Sequence, residues 1–346
     1  MSLYIDDAQR HRIHQLRASW RWRSDWPTWF VIVAVYGGWF ATAFNARSMG
    51  MPLAVSILAV LSCLYLSLQH ELLHGHPTRF PLFNALLGVA PLAVWFPYAV
   101  YRESHLRHHN DAHLTDPDLD PETWFVSAER WRGAGAAVRV LLVIRNTFFG
   151  RIVLGPWSSI AETMISAVAQ IGRGNSRIAG AWALHLVLLA LLAAWLDRRC
   201  GISPALFILG VGYPALALSA VRSFQEHRAA DNISERTVIN EASWVWRLLF
   251  LNNNFHSVHH DLPSVPWFAL ANVYHEHRDA YLQRNGGFIV RGYREWLVRH
   301  VVQPVAPALH PLHALDALNA RADQIAQARV SAAGSAPLGG DAAQPV

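Results

Sequence analysis

The chain has 346 residues, of which 53% are hydrophobic and only 15% charged, and its mean hydropathy is +0.17. Soluble domains carry about 25% charged residues, so this composition points to a membrane protein. The formal net charge of +5 rests on arginine alone, and no dense basic patch interleaved with aromatics occurs, which sets nucleic-acid binding aside. Two cysteines, Cys63 and Cys200, are too few for a disulfide framework or a thiolate zinc site and read as inert.

In chain order, residues 1–26 form an Arg-rich, amphipathic N-terminal segment. It lacks the short apolar core and small-residue cleavage site of a signal peptide, so it is expected to remain in place. Four stretches then match the roughly 20 apolar residues that a bilayer crossing takes: 27–46, 52–69, 178–196 and 203–221. A fifth, 81–100, is interrupted by Pro91 and Pro97 and reads as a re-entrant or interfacial hairpin. Arg10, Arg12, Arg17, Arg21 and Arg23 put the N-terminus on the cytoplasmic side, and Trp20, Trp22, Trp26 and Trp29 suit an interfacial belt. Two hairpins of spans bring the chain back each time, so residues 70–177 and everything after 222 share that side. The expectation is an all-α integral membrane protein with four transmembrane helices, the hairpin and a cytoplasmic helical cap. Its membrane domain covers 27–313, and the Ala-, Gln-, Gly- and Pro-rich tail 314–346 is expected to be flexible.

The chain has nineteen histidines, and nine are grouped. His70 and His74 stand in H-E-L-L-H, and His105, His108 and His109 in H-L-R-H-H. His227 follows the fourth span, and His256, His259 and His260 form H-S-V-H-H. Spacings of i, i+3 and i+4 put imidazoles on one helix face, as a metal site requires. Chance would give roughly 0.06 H-x-x-H-H matches in such a chain, and two occur. Neutral imidazole suits zinc, copper, iron or nickel, and nine grouped rings imply two ions. Nitrogen ligation without thiolate fits an oxygen-handling di-iron pair better than two structural zincs.

The competing readings are plain. H-E-x-x-H alone is also a zinc-protease pattern, but seven further grouped histidines have no role there. A metal transporter would carry ionisable groups along its spans, and these spans are nearly free of them. Glu71, Asp111, Glu226 and Asp261 lie where a carboxylate can accept a ligand histidine's free ring N–H; solvated interfacial charge is the bland alternative for each. His185 reads as locally partnered; His76, in H-G-H-P, reads either as a partner behind a ligand histidine or as a loop residue, and His275 and His277 read as solvated.

At these residues the chain resembles the membrane-bound fatty acid desaturase family, whose hallmark is three histidine boxes: here H-E-L-L-H-G, H-L-R-H-H and N-N-N-F-H-S-V-H-H-D-L-P. The Thr115-Asp116-Pro117-Asp118 run after the second box is also similar. The resemblance covers roughly residues 30–300. The block Q-H-E-L-L-H-G-H-P-T-R with F-P-Y-x-x-Y-R resembles a bacterial branch that includes dihydrorhizobitoxine desaturase.

The resemblance implies two iron ions held by His70, His74, His105, His108, His109, His227, His256, His259 and His260, with O2 as co-substrate. His227 answers to the additional histidine of related acyl desaturases, although Ser223 stands where some relatives have Asn. The implied reaction is desaturation of a fatty acyl or lipid-like chain, with hydroxylation or ketolation on the same scaffold as the alternative. The chain shows no flavin, haem or four-cysteine cluster motif, so a ferredoxin- or cytochrome-type electron donor is implied. The expected location is a bacterial inner membrane with the metal site facing the cytoplasm. Trp95, Phe96, Trp124 and Phe125 are candidate substrate-lining residues.

Overall fold

Within a bilayer no water is at hand for backbone N–H and C=O groups, so apolar runs fold as helices that satisfy these groups internally. The structure is a computed structural model and describes residues 4–312 and 314. Among these, five helical stretches are long and apolar enough to cross a membrane: Trp20–Phe44, Met51–Leu73, Phe148–Gly172, Ser176–Cys200 and Leu206–Gln225. Strand is limited to β1 (Ile239–Asn240) and β2 (Ile289–Val290), a parallel pair two residues long. The fold is an all-α membrane fold, as expected from the composition; the expected tail lies outside the described residues except for Ala314.

The helices that position the site are α1 (Asp7–Ala18), α2 (Trp26–Phe44), α3 (Met51–Leu73), α4 (Pro81–Gly88), α5 (Tyr98–His108), α6 (Phe148–Gly172), α7 (Ser176–Trp195), α8 (Tyr213–Arg222), α9 (His256–Asp261) and α10 (Trp267–Glu276). Helices α2 and α3 pack with the 206–212 stretch around Trp39, Leu58, Tyr65 and Phe207, all fully buried. Leu53, Leu184, Val187 and Leu191 remain exposed on the opposite faces, where hydrocarbon is the solvent. The 206–212 stretch is wound as a π-helix ahead of Pro214. Proline supplies no N–H for the preceding turn, and a looser turn absorbs the missing bond.

The 81–100 stretch is no through-helix. After α4 the chain is irregular across 89–97 and resumes as α5. Its carbonyls find partners on a polar stripe of α3: the Tyr65 hydroxyl donates to Gly88 and Ala90, Ser62 Oγ to Leu92, and Gln69 Nε2 to Gly88. Irregular backbone at membrane depth survives when protein groups satisfy it in this way. Leu82 and Leu86 point outward, 84% and 71% exposed.

Helix α6 was not among the expected spans, because Arg151, Pro156 and Glu162 break its apolar pattern. Its first residues lie at the end of α8, where Phe148 and Phe224 rings meet at 5.1 Å. Its last turns lie at the start of α7, where Ala167 clusters with Ile178, Trp182 and Val100 of α5. Both ends of α6 therefore sit beside segments that carry clustered histidines. Over the site lies a cap of α9, α10 and the strand pair, and α1 docks onto it: Ile13 is buried, Gln9 Nε2 donates to the Tyr281 hydroxyl at 2.9 Å, and Arg12 pairs with Glu276 at 3.0 Å.

Candidate metal centre

Three histidine groups sit at or just past the C-terminal end of a helix, and the fourth lies within a short helix of the cap. His70 closes the last turn of α3 and His74 caps it, one turn apart on one face. His105 and His108 end α5, with His109 as its cap, and His256, His259 and His260 make up half of α9. His227 follows α8 and bridges to Thr237.

The structure brings all nine together, but as two groups. His70, His74, His105, His109 and His259 form one; His108, His227, His256 and His260 form the other; within each, the nearest ring nitrogens lie within 4.8 Å of one another. The division departs from the reading that each box points one way. In both H-x-x-H-H boxes the i, i+4 pair (105 with 109, 256 with 260) serves one group. The residue just before the last, His108 or His259, turns about 100° around the axis and serves the other. The groups adjoin, with the His109 and His260 rings stacked at 4.4 Å.

Inside the groups, Nε2 atoms face one another. His105 and His109 approach to 3.0 Å, His109 and His259 to 3.1 Å, His108 and His227 to 3.0 Å, and His227 and His256 to 3.1 Å. Nitrogens bound at right angles on one ion at about 2.1 Å stand about 3.0 Å apart, so this spacing fits a shared cation. His70 Nε2 and His74 Nε2 are buried with no hydrogen-bond partner, which is costly unless an ion takes the lone pair. Burial, and then the like-charged neighbouring rings, push His105, His227, His256, His259 and His260 well below the usual histidine range, leaving neutral donors. His108 differs: burial lowers it, but Glu122, Asp120 and Glu226 outweigh burial and raise it to about 9. The donor set fits two metal ions.

The far ring nitrogens are held. Asp120 Oδ1 accepts from His108 Nδ1 at 2.8 Å and Glu122 from His105 Nδ1 at 3.2 Å. Asn253 Oδ1 accepts from His256 Nδ1 at 3.1 Å. Such partners fix the tautomer so that Nε2 presents its lone pair. Asp120 is itself anchored by the N–H groups of Thr115 and Glu122, both at 2.9 Å. Of the carboxylates expected in this role, Glu71 lies 3.6 Å from His70 Nδ1 and accepts the Trp267 N–H, and Glu226 lies 3.6 Å from His256 Nδ1 and pairs with Arg222. Asp261 pairs with Arg284 at 3.2 Å. The side chain of Asp111 lies outside the described residues.

Asp120, Glu122 and Asn253 were missed. The sequence does carry their signals: the acidic run continues from Asp118 as D-L-D-P-E, and Asn253 stands one turn before His256. His76 bonds Asp25 at 2.7 Å and His185 meets the Val94 carbonyl at 2.7 Å, both apart from the two groups. His275 is exposed and His277 half-buried.

A cavity of about 490 Å³ opens onto the second group at His108 and His227. Phe96, Trp124 and Phe125 line it; Trp95 does not.

Comparison with known proteins agrees with this geometry. A "Fatty acid desaturase" of Bacillus subtilis (strain 168) is 22% identical over 264 residues, covering 71% of this chain and 74% of that protein. The profile of the family described as fatty acid desaturase matches residues 46–292, a stretch that holds every grouped histidine. On that match, the chain belongs to the fatty acid desaturase family.

Proposed function

We propose that the protein is a membrane-bound, oxygen-dependent desaturase whose nine grouped histidines hold two iron ions. One observation carries the reading: two adjoining all-imidazole groups, six rings buried and three half-buried, with ring nitrogens at cis-ligand spacing. His70, His74, His105, His109 and His259 would hold one ion, and His108, His227, His256 and His260 the other. Such a pair supplies the oxidising power, with O2 and two electrons, to take hydrogen from an unactivated methylene. In the net change a CH2–CH2 unit becomes CH=CH, and O2 with two added electrons and two protons leaves as two waters. The chain's own part is positional. Asp120, Glu122 and Asn253 orient the imidazoles, while α3, α5 and α9 enclose them away from bulk water.

The zinc-protease reading loses support from Glu71. Its carboxylate accepts the Trp267 N–H and lies beside His70, and three further histidines crowd the same H-E-x-x-H pair.

Four of the five long helices would then cross the membrane, with α6 lying along its surface. His108 precedes α6 and His227 follows α8, yet their rings meet at 3.0 Å; three crossings between them would leave them on opposite faces. The arginines of the N-terminal segment favour the cytoplasm for this face, in a bacterial inner membrane. There a ferredoxin- or cytochrome-type donor would deliver electrons. Residues 27–313 serve as the membrane domain.

Metal analysis of the purified protein, alongside lipid mass spectrometry of cells with and without the gene, tests the proposal. Iron near two per chain and a gene-dependent loss of two mass units in a substrate are expected. One zinc without iron would end the reading, and a gain of sixteen mass units would replace desaturation by hydroxylation.

A further inference from the structure

Helix α6 is amphipathic, and its polar side borders a cavity, with Ser159, Thr163 and Gln170 half-buried and Glu162 and Ser166 exposed. Ser159, Glu162, Thr163, Ser166 and Gln170 all line the cavity that reaches His108 and His227. At 100° per residue these five positions fall within an arc of about 100°. Val153, Trp157, Ile165 and Val168 project from the other side and are exposed, where lipid would cover them. Across the cavity, α5 adds Glu103, Ser104 and Arg107 immediately before His108. The remaining wall, at Phe96, Val100, Phe125, Ile178, Leu216 and Phe224 among others, suits hydrocarbon, so the cavity has a polar and an apolar side. The inner end of this cavity is the second histidine group itself.

A tunnel for a plain hydrocarbon chain would be walled with apolar side chains, because stripping water from hydroxyls, amides and carboxylates without replacing their hydrogen bonds is costly. Here polar groups run for about 16 Å along α6 and continue on α5 up to the residue before a grouped histidine. We propose that this cavity holds the polar head of an amphiphilic substrate, and that the carbon–carbon bond oxidised lies within a few carbons of that head. The second half of this statement rests on the metal reading above; the first half does not. The chemistry is unchanged: the head-proximal CH2–CH2 becomes CH=CH, and O2, with two electrons and two protons by way of a one-electron donor protein, becomes two waters. Glu162 already pairs with Arg130, and Gln170 with Ser166 and Asn175; hydrogen-bonding groups on the substrate would replace the water that Ser159 and Thr163 lose.

Two measurements on the full chain in lipid nanodiscs test this, with empty nanodiscs as the blank. The first compares binding of 3-hydroxydecanoate and decanoate to the wild type and to the triple variant Ser159→Ala, Thr163→Val, Ser166→Ala. The wild type is expected to favour the hydroxy acid on the order of tenfold, the yield of one or two net hydrogen bonds, and the variant to lose that preference. Equal binding of the two acids, or a preference that survives in the variant, would overturn the polar-head assignment. The second loads the protein with manganese(II) and reads proton relaxation along bound 3-hydroxydecanoate. Faster relaxation at C2 to C4 than at the terminal methyl supports the proposal, and the reverse order overturns it. Manganese retained no better by the wild type than by His108→Ala would sink the metal reading instead, while the first measurement still decides the polar head.

Discussion

At the scale of single residues, the site works by fixing which nitrogen of each ring faces inward. Asp120 does this for His108 through a 2.8 Å bond while two main-chain N–H groups hold the carboxylate still. Asp120→Asn is expected to weaken metal retention about 10- to 100-fold, measured by competition with a chelator of known affinity; unchanged retention would remove Asp120 from the site. His108→Ala should abolish activity while the protein still inserts into membranes, whereas His275→Ala, at an exposed position, should be nearly silent. Equal loss in both would undo the assignment. The nine imidazoles were legible in the sequence because i, i+3 and i+4 spacing is a local property. Asp120 and Glu122 were harder to read. They meet His108 and His105 through a turn after α5, and sequence distance does not say which acid of T-D-P-D-L-D-P-E turns back.

Among the elements, the hairpin after α3 depends on side chains to complete its backbone. Ser62 Oγ accepts from Trp39 Nε1 and donates to the Leu92 carbonyl, so Ser62→Ala leaves two buried groups unpaired. A loss of about 1–3 kcal/mol follows, read as a lower melting temperature in detergent; an unchanged melting point would mean that water reaches the break. Where α6 begins, a Cβ on Gly150 would stand 1.8 Å from the Ile144 carbonyl oxygen, a backbone atom that cannot swing away. Gly150→Ala should cost about 3 kcal/mol in the same assay, and a neutral result would show that the turn opens freely. The interruption of 81–100 was readable from Pro91 and Pro97. Helix α6 was not, because Arg151, Pro156 and Glu162 interrupt its apolar run, although its average hydropathy suffices for a crossing.

For the whole molecule, the spans bring together rings that repel one another whenever they are protonated, and bound ions would relieve this by keeping the rings neutral. Any ligand that binds only the folded state stabilises it, by about 4 kcal/mol at a thousandfold excess over its dissociation constant. Stripping metal with a chelator should therefore lower the melting temperature substantially in the wild type and little in His108→Ala, as followed by thermal unfolding with and without chelator. Identical responses would mean that the histidines hold nothing. The bundle and its membrane character were visible in composition and apolar run length. The meeting of residues as distant as His70 and His259, whose ring centroids lie 4.5 Å apart, depends on how the spans pack, and no local pattern encodes that.

Consecutive residues at the end of each H-x-x-H-H box answer to different groups: His108 and His109 part company, as do His259 and His260. A single-residue slip in either helix would thus damage both halves at once, and neither half can be built without the backbone that builds its neighbour. Breaking either helix, as with Leu106→Pro, should accordingly lower retention of both ions together, and loss at one group alone would show that the halves stand independently.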